Sequence, residues 1–445
     1  MVDCKNIFGV LLLFISITSC SGQKTNSHLQ NENSKEVNNV SGNAKKVSSV
    51  TPGAERLDEY LPLLQNKTVA VFANQTSVVK HTHLVDVLQK SGVKIKVIFG
   101  PEHGFRGKAD AGEHIESGID KATGIPVVSL YGSKRKPSKE DLKDVDVMLF
   151  DIQDVGVRFY TYISSLQDYM EAALEYNIPL IVLDRPNPNG FYIDGPVLEE
   201  KFKSFVGMQP VPIVYGMTIG EYAGMILQEQ WLSREANNRY RTIMASRYKE
   251  GAKYFKLIVI PCAGYTHKSK YILPVKPSPN LPEIQSIYLY PFTCFFEGTV
   301  LSEGRGTDKP FQIFGHPSLP QTLYSFTPTS RDGAKEPKLK NQLSYGWNLS
   351  GSVEDVLKKV EGKIRLKWLL QAYQLFPDKK NFFLVAKKDI PVETDYFFNK
   401  LAGNASLMKQ IKMGMTEKEI RENWQPLLNN FKNIRKKYLL YPDFE

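Results

Sequence analysis

The chain has little cysteine and no apolar run long enough to be a membrane span. Of its four cysteines, Cys4 and Cys20 fall within the first twenty residues, leaving Cys262 and Cys294 in the body of the chain. One disulfide at most is possible, which excludes a disulfide-built scaffold; both cysteines have apolar neighbours, and buried free thiols are expected. The apolar run from Ile7 to Ile17 is shorter than the roughly 20 residues that cross a bilayer, and no later segment is apolar enough to span. Signature loops are missing too. No Gly-x-Gly-x-x-Gly follows the first strand pattern, and there is no Gly-x-Ser-x-Gly elbow, Walker loop or His-Glu-x-x-His. These absences speak against a nicotinamide cofactor and against a serine esterase. Among seven histidines, His81 and His83 form the one close pair. At that spacing on a helix start they point apart, so surface histidines are expected rather than a metal site.

The amino terminus does carry a signal. Lys5, the Ile7 to Ile17 run and then Ile17-Thr18-Ser19-Cys20 have the form of a lipoprotein leader, residues 1–20. This predicts cleavage before Cys20, a lipid on Cys20, export, and anchorage to the cell envelope on a periplasmic or outer-membrane face. Residues 21–50 are Ser-, Asn-, Lys- and Gln-rich and read as a flexible tether. What remains is too long for one ordinary core, so two domains are expected. The proline-rich crossing Pro274-Val-Lys-Pro-Ser-Pro-Asn-Leu-Pro282 cannot be helix and sets the junction, giving 51–278 and 279–445. The formal net charge is +10 and survives maturation, because Asp3 and Lys5 leave together. Its Lys and Arg are scattered, with modest clusters at 134–136 and 435–437, which describes a solvated basic face rather than a nucleic-acid surface.

Short β-branched runs alternate with helical patterns: Val69 to Phe72, Ile95 to Phe99, Val127 to Leu130, Val145 to Phe150, Leu180 to Leu183 and Leu257 to Ile260. After the fourth run, Leu166, Tyr169, Met170, Ala173 and Leu174 make one helical face. The pattern predicts an α/β fold, a Rossmann-like, mostly parallel sheet with helices on both faces, followed by a smaller α+β domain whose clearest helices are 364–375 and 416–437.

Four strand ends run into polar loops: Asn74-Gln75-Thr76, then Gly100 to Gly107, then Asp151 to Tyr160, then Asp184 to Gly190. In a parallel sheet these loops share the carboxyl edge, where open α/β folds bind ligands. Glu102, fixed between Pro101 and Gly104, is the candidate acid-base carboxyl; the alternative is that it caps a turn or pairs with Arg106. Asp151 is the better catalytic candidate of the next loop and Asp154 the likelier helix cap. Arg106, Arg158 and Arg185 can clamp a substrate carboxylate, or can neutralise nearby aspartates. Asn74, Gln75, His103, Tyr160, Asp184, Asn187 and Asn189 complete the loop set. From the second domain, the glycine-hinged Glu303, Arg305 and Asp308 can approach a ligand, as can the Phe296-Glu297-Gly298-Thr299 stretch.

The strings Val71-Phe-Ala-Asn-Gln-Thr-Ser77, Phe99-Gly-Pro-Glu-His-Gly-Phe-Arg-Gly107, Phe150-Asp-Ile-Gln-Asp-Val-Gly-Val-Arg-Phe-Tyr-Thr-Tyr-Ile163, Leu183-Asp-Arg-Pro-Asn-Pro-Asn-Gly190, Pro277-Ser-Pro-Asn-Leu-Pro282 and Gly304-Arg-Gly-Thr-Asp-Lys-Pro-Phe311 closely resemble the exo-β-N-acetylmuramidase family, the NamZ-like peptidoglycan hexosaminidases. The resemblance runs from about residue 52 to the end. Small departures are Gly100 where alanine is usual and Tyr215 where histidine is common. The resemblance implies a Rossmann-like catalytic domain, release of N-acetylmuramic acid from non-reducing ends of peptidoglycan fragments, and Glu102 as the principal catalytic acid, with the second carboxylate open between Asp151, Asp154 and Glu303. The implied partners are muramyl-containing saccharides, which carry a lactyl carboxylate and need a proton donor rather than a metal or other cofactor. The competing reading is a lipid-anchored protein that binds muramyl sugars without cleaving them.

Overall fold

The computed structural model describes residues 50–102, 104–106, 117–246 and 255–445. The leader, the tether, Cys20 and His103 lie outside the described residues. Seven strands form the main sheet: β1 (Thr68–Ala73), β2 (Lys94–Gly100), β3 (Gly118–Ile119), β4 (Pro126–Ser129), β5 (Val147–Asp151), β6 (Leu180–Leu183) and β7 (Leu257–Ile260). Their order across the sheet is β3-β4-β2-β1-β5-β6-β7. All neighbours pair in parallel except the short β3, which is antiparallel to β4. The parallel strands thus have the order of a doubly wound nucleotide-binding sheet, and the winding reverses between β1 and β5. Ligands bind outside the carboxyl ends of the strands at such a reversal.

The strands read as continuous apolar runs because both faces are covered. Side chains alternate along each strand: Ala70, Phe72, Met148, Phe150 and Val182 join one buried cluster, and Val69, Val71, Leu149 and Ile181 the other. Helices α1 (Leu57–Leu64) and α2 (Leu84–Lys90) close the second face, while α3 (Tyr162–Glu175), α4 (Ile219–Gln228) and α5 (Arg234–Ser246) close the first. The predicted face of α3 is buried throughout. Its Tyr169 ring meets Phe72 edge-on at 5.1 Å and Phe99 at 5.7 Å, and full burial of each such side chain stabilises the fold by roughly 1.5–3 kcal/mol.

Beyond the proline crossing, α6 (Ile284–Thr293) leads into a three-stranded antiparallel sheet of β8 (Ile313–His316), β9 (Tyr324–Phe326) and β10 (Ser344–Asn348), ordered β8-β10-β9. Phe314 stacks between Phe296 at 4.1 Å and Trp347 at 5.3 Å. Helices follow, among them Lys367–Leu375 and Glu417–Arg435, inside the spans that the sequence pattern predicts. The last helix is bound to the first domain: Arg421 forks onto Asp194 with both bonds at 2.8 Å, and Arg435 donates to the Gly216 carbonyl at 2.9 and 2.6 Å. The tail beyond it returns to the sheet, where Tyr441 donates to Asp184 at 2.5 Å and Leu440 N–H to Glu221 at 2.8 Å. Cys262 and Cys294 are buried free thiols. Among the described residues no helix is long and apolar enough to cross a membrane.

His83 departs from the surface position expected of it. It caps α2 by accepting from Val85 N–H at 3.2 Å, and its other ring nitrogen meets the Asn74 carbonyl at 2.9 Å. Burial, ahead of the opposing Asn74 bond, lowers its pKa. His81 remains exposed.

Candidate active site

At the carboxyl edge the two domains enclose a cavity of about 270 Å3 lined by Glu102, Tyr131, Arg135, the Phe159 to Tyr162 run, Phe205, Ser278, Asn280, Tyr290, Glu297, Arg305 and Phe311. A wider depression of about 900 Å3 lies at the amino edge, between Asp58, Lys67, Thr68 and Lys94. The smaller cavity is the better site, because it stands where the winding reverses and gathers carboxyls, guanidiniums and aromatic rings from both domains.

Glu102 reaches the cavity because its loop is pinned on both sides. The Gly104 N–H closes a turn onto the Pro101 carbonyl at 3.0 Å, with Gly104 at φ 78°, where a side chain would be strained. Phe105 packs edge-on to His83 at 4.7 Å. Arg106 forks onto Asp120 at 3.1 and 2.8 Å, so its charge holds the loop and is not spent on Glu102. Tyr131, from the loop after β4, donates to Glu102 at 3.1 Å; burial, then the Glu102 carboxyl, pushes the Tyr131 hydroxyl up to about 12.

The β1 loop folds around Asn74. Its side-chain oxygen accepts from Thr76 N–H at 2.9 Å and its amide donates to the Tyr162 hydroxyl at 2.9 Å. Gln75 and Tyr160 both donate to the Pro277 carbonyl, at 3.1 and 2.8 Å. The proline crossing is thereby strapped over the carboxyl edge, which is why Ser278 and Asn280 face the cavity.

Several residues expected at the site are held elsewhere. Asp151 and Arg185 form a bidentate pair at 2.6 and 2.8 Å, with both side chains buried. Arg158 is wholly buried and gives its guanidinium to the carbonyls of Pro196, Val211 and Leu401 at 2.9, 2.8 and 2.8 Å; burial pulls its pKa down to about 9. It ties the first domain to helix Phe397–Ala402 and cannot clamp a substrate. Asp184 accepts from Thr218 at 2.7 Å, Gly220 N–H at 2.8 Å and Tyr441, and burial raises it to about 6. Asn187 and Asn189 bond to main-chain carbonyls of Met217, Val155 and Ile287. Asp308 is exposed and paired with Arg331. Glu303 is buried between Lys338 at 2.8 Å and Arg305 at 3.2 Å; burial opposes its ionisation, but the two cations outweigh it and hold the carboxyl below its usual range.

Asp154 is not the cap of α3, whose N-cap position is Thr161. It turns inward to accept from the Tyr215 hydroxyl and from Gly156 N–H at 2.6 Å. Burial raises it to about 7 in spite of these donors. An acid with a raised folded pKa stabilises the fold fully below its ordinary value, and that contribution is lost as the pH climbs to the folded value. Asp154→Asn should therefore gain stability relative to the native protein between about pH 4 and 8, by an upper limit of roughly 1.4 kcal/mol for each pH step between the ordinary and the raised value. Denaturant midpoints of both proteins across that range provide the check; a difference that ignores pH would contradict it.

Three cavity groups escape the sequence pattern. Tyr131 and Arg135 follow β4, a recognised strand whose loop reads as a surface basic cluster. Tyr162 lies inside a helix. Glu297, in the Phe296 to Thr299 stretch expected to approach a ligand, does line the cavity and pairs there with Arg305 at 2.6 Å. Applying the strand-end rule to β4 as well would have found the first two.

The architecture is that of a doubly wound α/β fold whose pocket is lined by residues of both domains. The family models for exo-β-N-acetylmuramidase NamZ match here, the N-terminal one over residues 69–285 and the C-terminal one over 288–441, and the chain belongs to that family. It is 37% identical over 420 residues to the peptidoglycan β-N-acetylmuramidase NamZ of Bacillus subtilis (strain 168), covering 89% of this chain and 92% of the relative. Two crystal structures of DUF1343 family proteins from Bacteroides fragilis NCTC 9343 share the fold. One has a TM-score of 0.76 at 43% identity, covering 89% of this chain and all of that one; the other has 0.68 at 29%, covering 88% and 99%.

Proposed function

We propose that the protein is an exo-acting glycoside hydrolase that releases N-acetylmuramic acid from the non-reducing ends of peptidoglycan fragments, with Glu102 protonating the leaving oxygen. The observation that carries this reading is the placement of Glu102 in an aromatic-lined cavity at the reversal of the sheet, in a chain that belongs to the muramidase family. At about 270 Å3 the cavity falls just under the roughly 300–1,000 Å3 of drug-sized sites, which suits one terminal sugar rather than a bound strand. Tyrosine and phenylalanine faces can pack on the apolar faces of a pyranose while the carboxyls meet its glycosidic bond.

Glycosidases of this kind work with a pair of carboxyls. Asp151, Asp154 and Glu303 all point into the protein body, so we assign the second role to Glu297, held by Arg305 across the cavity wall. Glu297→Gln should lower kcat by about 10² or more while the denaturation midpoint moves little; steady-state rates on a muramyl glycoside provide the check, and an unchanged kcat would remove Glu297 from the chemistry. The leader pattern ending at Cys20 supports a lipid-anchored enzyme at the cell envelope, where such fragments arise.

The test of the whole reading is to incubate the protein with a disaccharide whose non-reducing sugar is N-acetylmuramic acid and to follow free sugars by mass spectrometry. Release of N-acetylmuramic acid is the expected result. Binding without release would favour a non-catalytic muramyl-sugar receptor instead.

A further inference from the structure

N-acetylmuramic acid differs from N-acetylglucosamine by a lactyl ether that ends in a carboxylate. A site that selects the first sugar is best served by an available cation facing that group, because charge-assisted bonds are the strong ones. The arginines at the strand ends do not: Arg106 is bound to Asp120, Arg185 to Asp151, and Arg158 to three carbonyls. Two described guanidiniums line the cavity. Arg305 is already offset by Glu297 at 2.6 Å and Glu303 at 3.2 Å.

Arg135 is different. Among the described residues it has no carboxylate within the 4.0 Å ion-pair distance; Asp168, on which its charge acts, stands beyond that limit. Its guanidinium carbon sits 4.1 Å from the centre of the Phe205 ring, and Phe205 lines the same cavity. A ring face steadies the planar cation but accepts none of its five N–H bonds. Among the described residues the fork is therefore charged and unspent, on an exposed side chain that lines the same cavity as Glu102 and its Tyr131 partner.

We infer that Arg135, seated on Phe205, is the specificity determinant that binds the carboxylate of the terminal sugar. The inference rests on the muramidase reading for the identity of that sugar. It makes the loop after β4 the source of discrimination against neutral hexosamines, and leaves the proton chemistry to Glu102.

The test uses the full chain and two readouts. Calorimetric titration with free N-acetylmuramic acid and with free N-acetylglucosamine should show the native protein preferring the first by about 10- to 100-fold, on the scale of a charge-assisted fork. Arg135→Gln should bring the two dissociation constants within about threefold, and Arg135→Lys should keep part of the preference, because charge remains and the fork is lost. On nitrophenyl glycosides of the two sugars, Arg135→Gln should raise KM for the muramyl compound with kcat nearly constant and leave the glucosaminyl KM unchanged. A native protein without the preference, a glutamine variant that keeps it, or an equal loss on both sugars overturns the inference. A native protein that binds the muramyl sugar selectively but cleaves neither glycoside sinks the hydrolase reading alone, since the titrations still judge Arg135.

Discussion

Glu102→Gln is expected to reduce kcat on a muramyl glycoside by roughly 10²–10⁴, the usual contribution of a positioned acid-base group, with KM and the denaturation midpoint close to native. The geometry supplies the reason for so clean a loss. The Tyr131 hydroxyl donates to a Glu102 oxygen at 3.1 Å, and a glutamine carbonyl can accept that bond in the same place. The loop itself is held by the Gly104 turn and by Arg106 on Asp120, none of which involves the carboxyl. The Tyr131 bond is kept while the transferable proton is lost. Single-turnover rates alongside substrate titration give the measurement; a variant retaining more than about a tenth of native kcat would move the proton donor to another group, with Glu297 first in line.

The second large effect concerns stability. Arg185→Met should cost about 3–5 kcal/mol, because it leaves the Asp151 carboxylate buried without its partner. Asp151→Asn alone strands the guanidinium and should cost a similar amount. Combining the two substitutions removes both charges, and the double variant should recover most of the loss, since neighbouring members of one ion pair are strongly non-additive. Chemical denaturation of the three variants provides the check. The same double variant also separates the two roles that a strand-end aspartate can have. Positioning predicts that the refolded double variant keeps kcat within about tenfold; a well-folded but inactive double variant would place Asp151 among the reacting groups.

Much of the first domain is legible in the sequence, and the reason is physical. A sheet covered on both faces writes itself as apolar runs, and α3 writes itself as the Leu166, Tyr169, Met170, Ala173, Leu174 stripe. The carboxyl edge follows from the alternation alone, so Glu102 and Tyr160 are found where the pattern puts them. Side-chain direction is another matter. Arg158, Arg185, Asp151, Asp184 and Asn189 stand on the expected loops but turn into the body, where each meets a partner distant in sequence, such as Leu401 for Arg158 or Tyr441 for Asp184. No local pattern encodes a partner more than two hundred residues away. Arg135 is missed for the opposite reason: it reads as one of a cluster of surface charges, and in the fold it is still an exposed side chain, set apart only by its seat on Phe205 at the cavity.

Tyr441 on Asp184 sets an order of events during synthesis. The strand-end carboxyl of β6 emerges from the ribosome long before the hydroxyl that satisfies it, and Arg158 waits in the same way for the Leu401 carbonyl. Domains usually fold as units from the amino end during synthesis, but here Asp184 and Arg158 have only part of their hydrogen bonds, those from within the first domain, until Leu401 and Tyr441 arrive. A chain cut near residue 285, where the two family models meet, would carry every strand of the main sheet and still lack the groups that complete its edge. Arrival of Tyr441 is thus the step that completes the β6 edge of the first domain.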